Sequence, residues 1–314
     1  MMFQRPHRTN PSVSFDDGNR WTRALPRSSL AGQLVLVSLL IGACGSAAST
    51  SPSATAGLNG QLPQTIRSAG VLTIGSDISF PPMENYANNT PVGFDIDLGN
   101  ALGKALGLRV SFVNGTFSGL IPALEAGRFD IIMSGMTDTK AREGTVSFLD
   151  YLNVGTGILV PTGNPLNIQS LNDLCGRTVA GETGTTGAAT AQGQSTTCQN
   201  EGKPAVTIDL FPQESSVILA LQSGRANAVT LDYTGAVGFA QSVGGGHALT
   251  VVANQQGTPS PYGIAVPKNQ SQLLTALQAA LKQVISSGQY ATLLKTWDIS
   301  SASLTTAQVN GAVS

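Results

Sequence analysis

The strongest constraint on this 314-residue chain is a strand–helix alternation that runs from Val71 to Met133 and restarts at Arg177. Val71 to Gly75 is a short apolar run closed by Ser76-Asp77. Phe94 to Leu106 is amphipathic, with Leu98, Leu102 and Leu106 four apart on one face. Gly107 suits a helix C-terminus. Arg109 to Val113 reads as the next strand, Ser118 to Ala126 as a helix, and Phe129 to Met133 as a strand ending at Ser134-Gly135. Thr156 to Pro161 is a connecting strand. In the second stretch, strands are expected at Arg177 to Gly181, Ala205 to Phe211, Ala226 to Leu231 and Leu249 to Ala253. Helices are expected at Ser215 to Gln222 and Tyr233 to Val243. Units of this length indicate an α/β layer fold with mainly parallel pairing, arranged as two similar lobes. After a strand at Tyr262 to Pro267, a long helix from Gln272 to Ile285 carries Leu273, Leu274, Leu277, Leu281 and Ile285 as its apolar stripe. With a shorter helix from Tyr290 to Trp297, it can return to the first lobe. Residues after Ser300 are small and polar, so 301–314 is expected to be a flexible tail.

The N-terminal part has a different logic. Scattered arginines, Arg5 to Arg27, precede an apolar run from Leu34 to Ile41 and the small residues Gly42-Ala43. This is the layout of a secretory signal, and the run is too short to span a bilayer well. Ile41-Gly42-Ala43-Cys44 resembles the lipobox of bacterial lipoproteins. The resemblance implies cleavage of 1–43 and diacylation of Cys44. It also implies a chain held by its acyl chains on the extracytoplasmic face of the bacterial cell membrane. A simple signal peptide with a chance cysteine is the alternative. From Gly45 to Gly60 the chain is mostly Ser, Ala, Thr, Gly and Pro without a charged side chain. Residues 44–60 are therefore expected to be a lipidated cysteine and a flexible tether. About 240 residues remain to build a core, enough for two lobes.

From Cys44 onward, six Lys and six Arg stand against sixteen Asp and Glu, a net of −4, with no basic stripe. Nucleic acid is excluded as a partner on that ground. Cys175 and Cys198 are the two cysteines after Cys44. Outside the membrane such a pair is expected to form a disulfide, with two buried free thiols as the alternative. A metal site there is poor, because His247 is the only histidine after the leader.

Four motifs agree in order and spacing: Gly75-Ser76-Asp77-Ile78-Ser79-Phe80-Pro81-Pro82, Gly93-Phe94-Asp95-Ile96-Asp97-Leu98, Phe117-Ser118-Gly119-Leu120-Ile121-Pro122-Ala123-Leu124 and Asp130-Ile131-Ile132-Met133-Ser134-Gly135-Met136. Gly184-Thr185-Thr186 and a lone Asp232 after a strand join them. From Leu72 to Trp297 the chain resembles the extracytoplasmic solute-binding proteins of ABC importers, in the polar amino acid family (bacterial solute-binding protein family 3). The resemblance implies a two-lobed periplasmic-binding-protein fold of type II. Lobe 1 would be 61–157 plus 264–300 and lobe 2 would be 158–263, with strand crossings near Gly157 to Val160 and Pro261 to Ala265. The ligand would sit in the cleft and the lobes would close on it.

The resemblance also implies roles. Arg142 would clamp an amino acid α-carboxylate with its planar fork; a surface ion pair is the alternative. Thr137, the backbones of Ser134 and Gly135, Thr186 and the amides around Gly184 would complete that shell. Asp232 would take the ammonium, or serve as the N-cap of the helix that follows. Phe80 and Phe117 would sandwich the ligand side chain, or belong to the core. Asp77 would reach the distal end of a polar or basic ligand, or brace its loop. Met83 stands where the family has an aromatic, which softens that wall. The expected function is delivery of a free amino acid, polar or basic, to an ABC permease with its cytoplasmic ATPase. The protein would be a monomer with no cofactor and no catalysis. A sensor working through a membrane receptor, or an enzyme on the same fold resembling cyclohexadienyl dehydratase, are the alternatives.

Overall fold

The computed structural model describes residues 54–252 and 256–313. The leader, the apolar run and Cys44 lie outside the described residues. The chain opens with two short helices, α1 (Ala54–Asn59) and α2 (Gln64–Ala69). It continues through β1 (Val71–Ser76), a hairpin of β2 (Asn85–Ala87) and β3 (Thr90–Val92), α3 (Phe94–Leu106), β4 (Arg109–Asn114), α4 (Phe117–Glu125), β5 (Ile131–Ile132) and α5 (Lys140–Glu143). The long strand β6 (Val146–Pro161) leads into β7 (Thr178–Glu182), α6 (Thr186–Asn200), β8 (Thr207–Phe211), α7 (Glu214–Gln222), β9 (Ala228–Asp232), α8 (Tyr233–Ser242) and β10 (Leu249–Val251). A second long strand, β11 (Gln256–Pro267), returns the chain to α9 (Ser271–Ser286) and α10 (Gln289–Thr296).

Pairing runs β4-β1-β5-β11-β6-β9-β7-β8, with β10 on β6. β1 is parallel to β4 and β5 in the first half, and β7 is parallel to β8 and β9 in the second. The crossing strands β6 and β11 are antiparallel to each other, and each half adds its own parallel strands to them. Each half has its own core. Leu72, Ile74, Leu98, Leu102 and Ile131 pack with Leu277 and Leu281 of α9 in the first. Leu159, Val217, Leu221, Val229 and Phe239 pack in the second. The predicted stripe of α9 is thus the face that covers the first half. Gly107 takes the left-handed conformation at the end of α3 (φ 69°), as its position suggested. Among the described residues no helix is long and apolar enough to cross a membrane.

Four expectations are corrected. Residues 54–59, placed in the tether, form α1: Leu58 packs on the main core and Asn59 Nδ2 donates to the Leu106 carbonyl at 2.9 Å, satisfying a free carbonyl at the end of α3. The tail 301–313 is docked rather than frayed. Asp150 N–H donates to the Gln308 carbonyl at 2.8 Å, Asn310 N–H to the Phe148 carbonyl at 3.1 Å, and Phe148 N–H to Asn310 Oδ1 at 2.8 Å. The first half of β6 would otherwise be an open sheet edge, and backbone pairing is blind to composition. β6 starts at Val146, ten residues before the predicted strand. Helix α6 was missed because Ala, Gly, Thr, Ser and Gln dominate it, leaving a face of Gly187, Ala188, Ala191, Ser195 and Cys198 with little periodic hydrophobicity.

The disulfide is present between Cys175 and Cys198, with Cα atoms 5.6 Å apart and a sequence separation of 23. It ties α6 to the turn before β7. Replacing both cysteines with alanine is expected to lower the unfolding free energy by ~3 kcal/mol, read from denaturant titration of the oxidised protein and the variant. An unchanged midpoint and slope would show that the loop is fixed by packing alone.

Candidate functional site

The floor of the cleft is the loop from Ser134 to Thr139, and it is held by polar groups as well as by the packing of Met136 in the core. The Ser134 hydroxyl accepts from Asp77 N–H at 2.8 Å and donates to Glu84 Oε1 at 3.0 Å. Gly135 N–H donates to Asp95 Oδ2 at 2.9 Å, and the Tyr151 hydroxyl donates to the same oxygen at 2.8 Å. Glu84, Asp95 and Tyr151 are buried. Burial pushes Asp95 up to about 6, against the pull of the Gly135 and Tyr151 donors. Burial, reinforced by Asp95, raises Glu84 well above the usual carboxylate range. The expected backbone contact from Gly135 is narrowed by this network. Its N–H is already committed, which leaves the carbonyl.

Arg142 stands in the short helix α5, whose N-cap Thr139 accepts the Arg142 N–H at 3.2 Å. Its guanidinium donates from Nη1 to the Thr137 carbonyl at 2.7 Å and from Nη2 to the Gly184 carbonyl at 3.0 Å. It also lies over the Phe117 ring, 5.2 Å from the centroid. One side chain therefore joins the two halves. Two of its five N–H donors are used in this way, and the rest remain for an anion. Burial lowers the Arg142 pKa, and the nearby Asp232 charge opposes that shift. Thr137 and Thr186 meet across the same gap, hydroxyl to hydroxyl at 3.2 Å. Asp232 begins α8 but makes no side-chain cap to it. Burial raises its carboxyl to about 6, while the Tyr262 hydroxyl and Arg142 hold it down.

Between the halves lies a small cavity of about 30 Å³. Of the predicted residues, Asp77, Phe80, Phe117, Ser134, Gly135, Thr137, Thr186 and Asp232 line it. Arg142 and Gly184 line the adjoining open chamber, which shares Thr137, Thr186 and Asp232. All ten are thus gathered at one cleft. Two behave differently from a simple sandwich. The Phe80 ring lies against Gly135 and Gly235 and makes an edge contact with Phe239, ring centroids 6.1 Å apart. A Cβ at Gly235 would come within 2.2 Å of that ring. Phe80 is therefore a wall of the cavity and also a plug seated in the second half. Phe117 packs on the cluster of Leu120 and Leu124 and already carries the Arg142 guanidinium over its ring. Asp77 both lines the cavity and braces its surroundings, accepting from Ser79 Oγ at 2.6 Å and from Phe117 N–H at 2.9 Å.

Glu182 and Glu214 were not predicted as ligand contacts, yet they line the cavity with Glu84. Glu182 is the last residue of β7 and Glu214 the first of α7. Burial raises Glu182 to about 10, with repulsion from Glu214 and Asp77 adding to it. It raises Glu214 to about 8, with Asp232 and Asp77 adding to that shift and a hydrogen bond with Glu182 opposing it. The available signal was positional: both follow the carboxyl ends of strands, where open α/β sheets gather their ligands. Among the described residues, no group of three His, Cys, Asp or Glu is placed to hold a metal ion.

The comparisons with known proteins agree with this architecture. Residues 72–300 match the model for bacterial extracellular solute-binding proteins, family 3. The chain is 31% identical to an arginine-binding protein of Corynebacterium glutamicum, over 81% of this chain and 82% of the relative. It is 31% identical to an ABC transporter glutamine-binding protein of Bacillus subtilis, over 84% and 95%. Among solved structures, an ancestral arginine-binding protein bound to arginine is similar, with a TM-score of 0.66, 34% identity, and 73% of this chain and 98% of that chain covered.

The raised carboxyls set a pH dependence. Glu182, Glu214, Asp232, Asp95, Asp138 and Asp150 all titrate higher in the folded chain than ordinary acids do, Asp150 at about 7 and Asp138 at about 6, first of all through burial. Above about pH 4 the native state then holds more protons than the unfolded state, so stability falls as pH rises. The unfolding midpoint of the ligand-free protein is expected to decline from pH 5 to pH 9. A midpoint that rises over that range contradicts the assignment.

Proposed function

This chain belongs to the bacterial extracellular solute-binding proteins of family 3, and we propose that it captures a free amino acid with a basic side chain for an ABC importer. Its fold is the α/β periplasmic-binding-protein fold of type II. The observation that carries the ligand class is the charge arrangement of one cleft. Arg142, with guanidinium donors to spare, faces the side of Asp232, while Asp77, Glu182 and Glu214 line the cavity beyond. A zwitterion needs one fixed cation and one fixed anion, and a cationic side chain needs further acceptors. The sequence relatives and solved structures named for arginine support the same reading, and the glutamine-binding relative marks the neutral alternative.

In this reading Arg142, Thr137, Thr186 and the Gly184 segment hold the α-carboxylate. Asp232 holds the ammonium, and Phe80 and Phe117 flank the side chain, with Ser134 and Gly135 shaping the floor. The two halves close on the ligand about β6 and β11. Closure is favoured because contacts from both halves coexist in one state, and a ligand shifts the balance only by its preference for that state. The protein is a binding component and not an enzyme. The closed form is delivered to a membrane permease with its ATPase. A lipid on Cys44 tethers it to the extracytoplasmic face of the cell membrane, and it works as a monomer.

Calorimetric titration with L-arginine, L-lysine, L-histidine and L-glutamine tests the ligand class. Arg142→Ala is expected to weaken binding of the preferred amino acid by about 2–5 kcal/mol, because a buried carboxylate loses its partner. Arg142→Lys is expected to recover part of that loss. Undiminished binding by Arg142→Ala would remove the clamp from the mechanism.

A further inference from the structure

Three carboxylates converge on the cavity from different elements: Asp77 after β1, Glu182 at the end of β7 and Glu214 at the start of α7. They are 5%, 4% and 3% exposed, so water does not screen them. Oε1 of Glu182 and Oε1 of Glu214 have no hydrogen-bond partner. Glu182 is within hydrogen-bonding reach of both Asp77 and Glu214. The charged and titratable groups around this trio are Asp232 and Glu84, themselves acids, while Arg142 is engaged with the carbonyls of Thr137 and Gly184. Three anions cannot share a dry cavity without a counter-charge. Either protons neutralise them or a cation does.

We propose that Glu182 and Glu214 are the residues by which this cleft selects a cationic side chain, and that they hold protons against Asp77 until that cation displaces them. The inference rests on the amino acid reading of the cleft given above. In the empty cleft a carboxylic O–H of Glu182 bridges toward Asp77 or Glu214. When a guanidinium enters, its N–H groups supply the hydrogen bonds and the positive charge. The glutamate protons leave to solvent, and no other bond is made or broken. The raised titration of both glutamates agrees with protons being present near neutrality. A neutral side chain such as an amide or a ureido group offers no charge to replace them, so it binds with the protons still in place.

The experiment is calorimetric titration of the whole mature protein with L-arginine, L-citrulline and L-glutamine at pH 6, 7 and 8, each in two buffers of different ionisation enthalpy. L-Arginine is expected to release at least one proton more than L-citrulline or L-glutamine does. Its affinity advantage over L-citrulline is expected to grow about tenfold per pH unit for each proton released. The neutral ligands supply the background from Asp232 and the other acids. Glu182→Gln and Glu214→Gln are each expected to lower the excess proton release and to cut the preference for L-arginine over L-glutamine at least tenfold. The wild-type measurement decides the matter even where a variant does not fold. Binding of L-arginine with no excess proton release overturns this inference and leaves the amino acid reading standing. Binding of L-glutamine without L-arginine does the same, and binding of none of the three overturns both.

Discussion

The cleft depends on burying more carboxylate than the chain can neutralise. Asp77, Glu84, Glu182, Glu214 and Asp232 all line one cavity, and the guanidinium nearest to them is tied to two carbonyls. Burying an acid in this way costs stability, and the cost appears as raised titration at Glu84, Glu182, Glu214 and Asp232. Such strain is tolerated because the two cores on either side are independently packed, with Leu277 and Leu281 covering the first half and Val217, Leu221 and Phe239 filling the second. Functional sites commonly hold interactions that oppose folding, and a rigid surround is what keeps them in place.

The loop that carries Thr137 and leads to Arg142 shows how the rigid surround reaches the site. Its backbone is not held by a neighbouring strand alone. Asp95 takes Gly135 N–H, Ser134 links Asp77 to Glu84, and Tyr151 of β6 completes the set. Because Tyr151 lies on a crossing strand, the floor of the cleft and the connection between the halves share one polar network. Gly235 and Gly238 make the matching concession on the other side. A side chain at either would strike Phe80 or the Pro81 carbonyl, so their bareness is what lets the Phe80 loop seat against α8.

Much of this was legible in the sequence because it rests on periodicity or on residue chemistry. The α9 stripe, the Gly107 cap, the Cys175–Cys198 pair and the gathering of Arg142, Asp232 and Asp77 at one cleft all carry such a mark. What was illegible rests on partners that sequence does not show. The tail from Ser303 to Gly311 is ordered by backbone pairing with β6 and by Asp150, so small polar residues there look the same docked or frayed. Helix α6 is packed through Ala, Ser and Cys, which leave no strong apolar period. Glu182 and Glu214 look like ordinary surface acids until the fold buries them at 4% and 3% exposure.

The acids are also unevenly divided between the halves, and this bears on closure. Asp77 and Glu84 belong to the first half, and Glu182, Glu214 and Asp232 to the second. Two unit charges about 4 Å apart interact by about 4 kcal/mol at the effective dielectric typical of protein surfaces. Ionised acids approaching across the gap would therefore resist closure. Neutral acids would not, and neither would acids that meet a ligand cation. On the reading proposed for this cleft, the same charges that select the ligand thus set the threshold for closing. A ligand lacking the cation leaves the halves to close on protons alone, while a basic side chain supplies the counter-charge from within the gap.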